Sequence, residues 1–188
     1  MLAHKGTQRI ETERLVLRPF KLSDANDMFK NWASDDEVTK YLTWPTHSSI
    51  EVSQMIIDSW VAAYEDSRYY QWAIELKENH QAIGSISLMN VDDEKECGEI
   101  GYCIGRRYWN QGIVTEAFQA LIPFCLNEIG IERLVARHDV NNPASGRVMQ
   151  KCFLTYEGTL RKVEKNSQGE FIDCCYYSIL KDEYPCSK

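Results

Sequence analysis

Residues 98–125 constrain the fold more than any other part of the chain. Ile100, Tyr102 and Ile104 alternate, which predicts a strand with one apolar face. A polar turn at Asn110, Gln111 and Gly112 follows, and Ala117, Phe118, Leu121, Phe124 and Cys125 then recur at helical spacing. Gly130 is placed to end that helix as a left-handed cap. Arg133–His138 alternates again as a strand. A helix between two strands carries the chain back to its starting edge, so these two strands are expected to run parallel. The junction has a second property. Strand, glycine turn and helix N-terminus together gather backbone N–H groups that can hold a phosphate. Gly112 has no Cβ to keep a ligand away from the backbone. Taken alone, the same residues read equally well as a plain strand-to-helix connection.

Elsewhere the links are short and polar, which favours antiparallel neighbours. Arg14–Pro19 alternates and stops at Pro19. Ser23 is expected to cap a helix reaching about Ala33, with Asp24 and Asp27 in its first turn. Ser48–Glu51 reads as a capping box for a second helix through Met55, Ile56, Trp60 and Ala63. Between them lies an aromatic loop, Tyr41-Leu-Thr-Trp-Pro45. Tyr70–Leu76 and Ala82–Met89 predict two strands before the central one. Asn142-Pro143 predicts a further helix, with asparagine at the cap and proline at its first position. Thr155–Arg161 and Phe171–Leu180 close the chain around a turn at Asn166–Gly169. Residues 1–9 are expected to be a loose, flexible terminus, and residues 10–182 a single domain. The order β-α-α-β-β-β-α-β-α-β-β describes an α/β (α+β) protein with a mixed sheet flanked by helices.

Composition narrows the function. With 188 residues, 44% of them hydrophobic and 26% charged, a folded core is expected rather than disorder. No apolar run approaches the roughly 20 residues that span a bilayer. Met1–Arg9 lacks the apolar stretch of a secretory signal, so a cytoplasmic protein with no membrane partner is expected. The net charge of −7 disfavours direct contact with nucleic acid and suits a cationic partner, although solubility alone explains it too. Seven cysteines are scattered: Cys97, Cys103, Cys125, Cys152 and Cys186 stand alone, and Cys174 and Cys175 are adjacent. None forms a C-x-x-C pair, and His47, His80 and His138 show no ligand spacing, so no metal site is expected.

The motifs in series resemble the GNAT acetyltransferase superfamily, in its branch of ribosomal-protein N-terminal acetyltransferases. They are Thr12-Glu-Arg-Leu-Val-Leu-Arg-Pro19, Ser23-Asp-Ala25, Tyr41–Pro45, Gly98-Glu-Ile-Gly-Tyr102, Tyr108-Trp-Asn-Gln-Gly112, Thr115-Glu-Ala117, Asn142-Pro-Ala-Ser145, Tyr156–Leu160 and Asp173. The resemblance implies one domain built on a mostly antiparallel, seven-stranded sheet. A splayed strand pair would form the acetyl-coenzyme A cleft. It implies acetyl-coenzyme A as the donor. The backbone N–H groups of Asn110, Gln111, Gly112, Ile113, Val114 and Thr115 would hold its diphosphate, and Tyr102, Cys103 and Ile104 would lie along its pantetheine arm. Asn142 would contact the pantetheine amides, and Ser145 would give a hydrogen bond to the sulfur. Tyr41 and Trp44 would cover the acceptor, although a loop anchored by its aromatics reads as well. Two positions depart from the pattern. Val114 stands where the superfamily favours glycine or alanine, and its β-branch is expected to narrow the diphosphate site. Phe153-Leu154 replaces Gly-Phe, so either the preceding helix ends differently or Phe153 is strained.

Acetyl transfer to an amine needs a neutral amine, stabilisation of a tetrahedral oxyanion and a proton for the departing thiolate. An α-amine has a pKa of about 8 against about 10.4 for lysine, so a weak base serves the former and a stronger one the latter. Glu99 is the candidate base, with pairing to a basic neighbour such as Arg106 as its plain alternative. Ser145 is the candidate acid, and a backbone N–H near Tyr102–Ile104 the oxyanion donor. The acceptor is read as a protein N-terminal α-amine. A small-molecule amine (polyamine, amino sugar or antibiotic) is the alternative, and a non-catalytic acyl-coenzyme A-binding module is a second class. A covalent enzyme using Cys103 has little support, since nothing in the sequence activates the thiol. A homodimer is compatible with the chain, which does not indicate a surface for it.

Overall fold

The computed structural model describes residues 1–184, so Cys186 lies outside the described residues. Eight strands form one sheet in the order β1-β2-β3-β4-β5-β6-β8-β7. They are β1 (Ile10–Glu11), β2 (Leu15–Arg18), β3 (Gln71–Leu76), β4 (Gln81–Asp92), β5 (Cys97–Ile104), β6 (Arg133–Asp139), β7 (Thr155–Lys165) and β8 (Phe171–Leu180). The eighth strand beyond the seven expected is β1, two residues paired to β2. Every pairing is antiparallel except β5 with β6, where the crossover sets the strands parallel.

Two helical layers cover the sheet. One face carries α1 (Ala25–Met28), which continues as a π turn over Phe29–Ala33, then α2 (Asp36–Thr39) and α3 (Ile50–Ala63). Phe20, Met28, Trp32 and Ile57 pack there against Ala73 and Ala82. The other face carries α4 (Ile113–Pro123), extended by a π turn over Phe124–Ile129, and α5 (Pro143–Lys151). Alternation along β3 sends Trp72 and Ile74 to this second face, where Phe118, Leu121 and Met149 meet them in the larger core. Gly130 ends the α4 extension at φ +94°, as its position predicts.

The local starts differ in detail from expectation. Ser23 does not cap the first helix: the chain enters through a 3-10 turn at Leu22–Asp24, and the Asp24 carboxylate accepts the Lys21 N–H at 2.8 Å. The cap of α3 is Ser49, one residue later than the expected box, and it makes no side-chain cap bond. Residues 1–9 are tied down where a loose terminus was expected. Leu2 enters the core, Ala3 N–H donates to Ile129 at 2.8 Å and Gly6 N–H to Ser67 at 2.7 Å. At the other end of the domain, α5 lies close on β6. A Cβ on Gly146 would come within 2.6 Å of His138 Nε2, so a hydrogen there is what allows the approach. His138 is correspondingly buried and structural, with Nδ1 2.7 Å from the Asp139 carbonyl.

Candidate active site

The centre of the sheet opens where β5 and β6 part. Their pairing runs from Cys97↔Arg133 to Ile100↔Ala136 and stops, while β5 continues to Ile104 and β6 to Asp139. Which backbone groups face this gap follows from the bonds around it. Gly105 N–H donates to Ile83 on the β4 side (2.9 Å), and Glu132 N–H donates to Glu96 on the β6 side (2.8 Å). Strand alternation therefore turns the amides and carbonyls of Glu99, Gly101 and Cys103 toward β4. Those of Ile100, Tyr102 and Ile104 turn toward β6. Opposite Tyr102 and Ile104 no strand is paired. The Ile104 carbonyl takes the Trp109 indole N–H at 3.0 Å. This leaves the Tyr102 amide and carbonyl and the Ile104 amide as an open edge, a template for an extended amide-bearing ligand. Cys103, expected in the same cradle, points its amide the other way.

The turn after β5 closes at the head of α4. Asn110 (φ +59°) and Gly112 (φ +73°) both take left-handed backbone, and Gly112 is the N-cap of the helix. The first N–H groups of α4, those of Ile113, Val114 and Thr115, have no partner within the helix and face outward with its positive dipole end. Among the described residues no acceptor in the chain meets the amides of Asn110, Gln111 or Gly112. Val114 does not narrow this corner, because its side chain is 8% exposed and belongs to the core. A residue that sequence reasoning missed braces the turn. Arg14 donates from Nη1 to the Gln111 carbonyl at 3.0 Å and from Nε to Glu116 Oε2 at 2.6 Å. Burial alone would raise the pKa of Glu116, but hydrogen bonds from Thr12 and Arg14 outweigh it and hold the carboxyl below its ordinary range. A cleft of about 460 Å³ lies here, lined by Thr12, Gly112, Thr115, Glu116 and Lys151 among others.

The candidate acid and base stand on opposite faces of the sheet at the gap. Asn142 caps α5 without using its side chain, and Pro143 is its first residue, as expected. Ser145 Oγ, one turn in, is 2.9 Å from the Tyr102 hydroxyl. Tyr102 lies on the α4/α5 face, its ring 5.9 Å from that of Phe118. Glu99 lies on the other face, one residue before the last β5–β6 pair. Its expected neighbour Arg106 pairs instead with Asp35 at 3.0 Å. Glu99 Oε1 accepts Arg137 Nε at 2.7 Å and Oε2 accepts Asn90 Nδ2 at 3.1 Å. Arg137 also reaches Glu164 on β7 at 2.8 Å. Burial pushes the Cys103 thiol up and outweighs the hydrogen bonding from Ser85, whose hydroxyl is 3.3 Å away, so the thiol is held in its neutral form.

Beyond Asp139, at the open end of β6, a second cleft of about 1080 Å³ separates the α2 region from the β7–β8 turn. Asp36, Glu37, Asp139, Glu170 and Asp173 line it against one cation, Lys40, and Tyr41 is at its edge. Trp44 is not on that lining. It packs on the α1–α3 core with its ring 5.3 Å from His47.

The chain is similar to known proteins along most of its length. The model of the family described as "Acetyltransferase (GNAT) domain" matches residues 14–154. The chain is 32% identical over 177 residues to "Uncharacterized N-acetyltransferase p20" of Bacillus licheniformis, covering 94% of this chain and 98% of that protein. It is 28% identical over 139 residues to the "Ribosomal-protein-serine acetyltransferase" of Escherichia coli K12, covering 73% of each. Among solved structures, a GNAT-family acetyltransferase from Bacillus anthracis superposes with a TM-score of 0.81 at 26% identity, covering 94% of this chain and 100% of that one. Among the described residues no helix is long and apolar enough to cross a membrane. With the family model spanning both the glycine corner and the parted strands, the chain belongs to the GNAT family of N-acetyltransferases.

Proposed function

We propose that the protein transfers the acetyl group of acetyl-coenzyme A directly to a protein N-terminal α-amine. The parted strands carry this reading. An open edge at Tyr102 and Ile104, continuous with unpaired amides at the head of α4, suits a ligand that is an extended diamide at one end and a diphosphate at the other. The residues fit that group. The amides of Asn110–Thr115 would take the diphosphate, the Tyr102 and Ile104 backbone the pantetheine, and the unused Asn142 side chain its outer amide. The coenzyme brings an activated thioester; the chain has only to orient it and manage charge and protons. The free amides on the gap side of β5 meet the developing oxyanion. Ser145 gives a hydrogen bond to the departing sulfur. Glu99, with both oxygens engaged, acts on the amine through water, which is enough for an amine already partly neutral.

The relative named as a ribosomal-protein-serine acetyltransferase supports a protein acceptor. The acid-lined cleft at the end of β6 favours a second reading, a free polycationic amine whose far charges sit among Asp36, Asp139 and Asp173. A thiol-release assay with acetyl-coenzyme A against N-terminal peptides, polyamines and aminoglycosides separates the two. The expected result is turnover on peptides with a free α-amine, and none on spermidine or kanamycin-type amines. Ser145→Ala is expected to lower kcat at saturating coenzyme, and an unchanged kcat removes Ser145 as the acid. Coenzyme binding without thiol release on any amine would make the protein a binding module.

A further inference from the structure

The Tyr102 phenol has a place in the site that its backbone role does not explain. Its oxygen is 2.9 Å from Ser145 Oγ and 3.0 Å from the Ser145 carbonyl. A phenol owns one proton, so these contacts allow two arrangements. In the first, Tyr102 donates to the carbonyl and the Ser145 hydroxyl donates to Tyr102, which spends the serine's proton inside the protein. In the second, Tyr102 donates to Ser145 Oγ, and the serine proton is free to point elsewhere. The carbonyl does not depend on Tyr102, because in the first turn of α5 it faces the helical N–H four residues on, that of Met149. The switch therefore leaves no buried carbonyl without a partner.

We propose that Tyr102 is a positioning residue for acyl transfer, turning the Ser145 hydroxyl into an aimed and strengthened donor toward the leaving sulfur. The inference rests on the reading of Ser145 as the group beside the thioester. A hydroxyl that accepts one hydrogen bond donates a better one, so Tyr102 feeding Ser145 Oγ polarises the serine O–H. Tyr102 does not surrender its own proton. Burial pushes its pKa up, whereas an alkyl thiol ionises near about 8.5, so a buried phenolate is the costlier anion. The balance is then simple. The amine nitrogen bonds the acyl carbon, the carbon–sulfur bond breaks and the sulfur leaves with its electron pair. The proton shed by the amine ends on the sulfur, with Ser145 and Tyr102 unchanged.

Tyr102→Phe keeps the ring against Phe118 and removes only the hydroxyl. With a peptide acceptor, it is expected to lower kcat about tenfold, the upper end of the scale for one hydrogen bond between neutral groups, while the dissociation constant for coenzyme A stays within about twofold. In a Ser145→Ala background the same change is expected to cost nothing further, because Tyr102 acts through the serine. An unaltered kcat in Tyr102→Phe, or losses that multiply in the double variant, overturns the proposal. A second probe preserves the fold where phenylalanine does not: 3-fluorotyrosine at position 102 keeps both contacts with a more acidic phenol. It is expected to shift kcat in the serine enzyme and not in Ser145→Ala, and equal responses in the two overturn the coupling. Failure of the transferase reading looks different, since the unaltered protein would then release no thiol with any amine.

Discussion

Glu99 shows how much a single residue's meaning depends on its partners. Alone on a strand beside a thioester, a carboxylate reads as a general base. In the fold it is held by Arg137 on β6 and by Asn90, which sits at the irregular end of β4 with φ +52°. A carboxylate held at both oxygens keeps its position, which suits ordering a water against the acceptor. Glu99→Gln is therefore expected to lower kcat/KM about 10²-fold for a lysine-type amine, which must lose a proton at about pH 10.4, and distinctly less for an α-amine near 8. The pH–rate profile with one acceptor of each kind checks this, and equal losses on both would make Glu99 an anchor for Arg137 only. The residue types of the site were legible in the sequence; their partners were not. Glu99 and Arg137 lie 38 positions apart, and Arg14 and Glu116 lie 102 apart. The first contact depends on strand register and the second on how α4 docks beside the start of β2, and no local spacing encodes either.

Among elements, strands were read better than helices, for a physical reason. Alternation in β3, β5 and β6 survives because each strand has two differently filled faces, and a slip of one residue would exchange them. Helix patterns were truer in their interiors than at their ends. The π turns at Phe29–Ala33 and Phe124–Ile129 widen the backbone without changing which residues are apolar, so they leave no trace in periodicity. Phe153 is the instructive end. It was expected either to be strained or to mark a different helix ending, and it is the left-handed residue that closes α5, at φ +68°. The Leu154 N–H reaches back to Met149 at 3.1 Å, and Leu154 enters the core. The Phe153 ring itself is 63% exposed, so little packing repays the conformation. Left-handed backbone costs a non-glycine residue about 1–2 kcal/mol, and glycine returns part of that as unfolded-state entropy. Phe153→Gly is expected to stabilise the protein by about 0.5–1 kcal/mol in urea unfolding, with kcat unchanged. A loss of stability would mean that the exposed ring packs more than its surface suggests.

The molecule as a whole is two half-sheets joined at the site. β1–β5 form one antiparallel unit and β6–β8–β7 the other, and only four residue pairs of β5 and β6 hydrogen-bond across the seam. The cleft proposed to admit the coenzyme thus lies along a short line of pairing at the centre of the sheet, and ion pairs reinforce its neighbourhood. Arg137 ties β5 to β7 through Glu99 and Glu164. One side of the seam has its own brace, in which Arg133 on β6 grips Glu157 on β7 and the Ser178 hydroxyl on β8 donates to the same carboxylate at 2.8 Å. The Arg133 guanidinium first, and Ser178 with it, pulls the Glu157 carboxyl down to about 2, against about 4.3 in an unfolded chain. A carboxyl lowered on folding contributes stability that is complete above the unfolded value and is lost as pH falls through the folded one. The Tm difference between wild type and Glu157→Gln is therefore expected to be constant above about pH 5 and to close between about 4.3 and 2. Calorimetry from pH 2 to 7 checks it. A difference that persists undiminished at pH 2 would show that the glutamine disturbs packing at the β7–β8 seam rather than removing a charge.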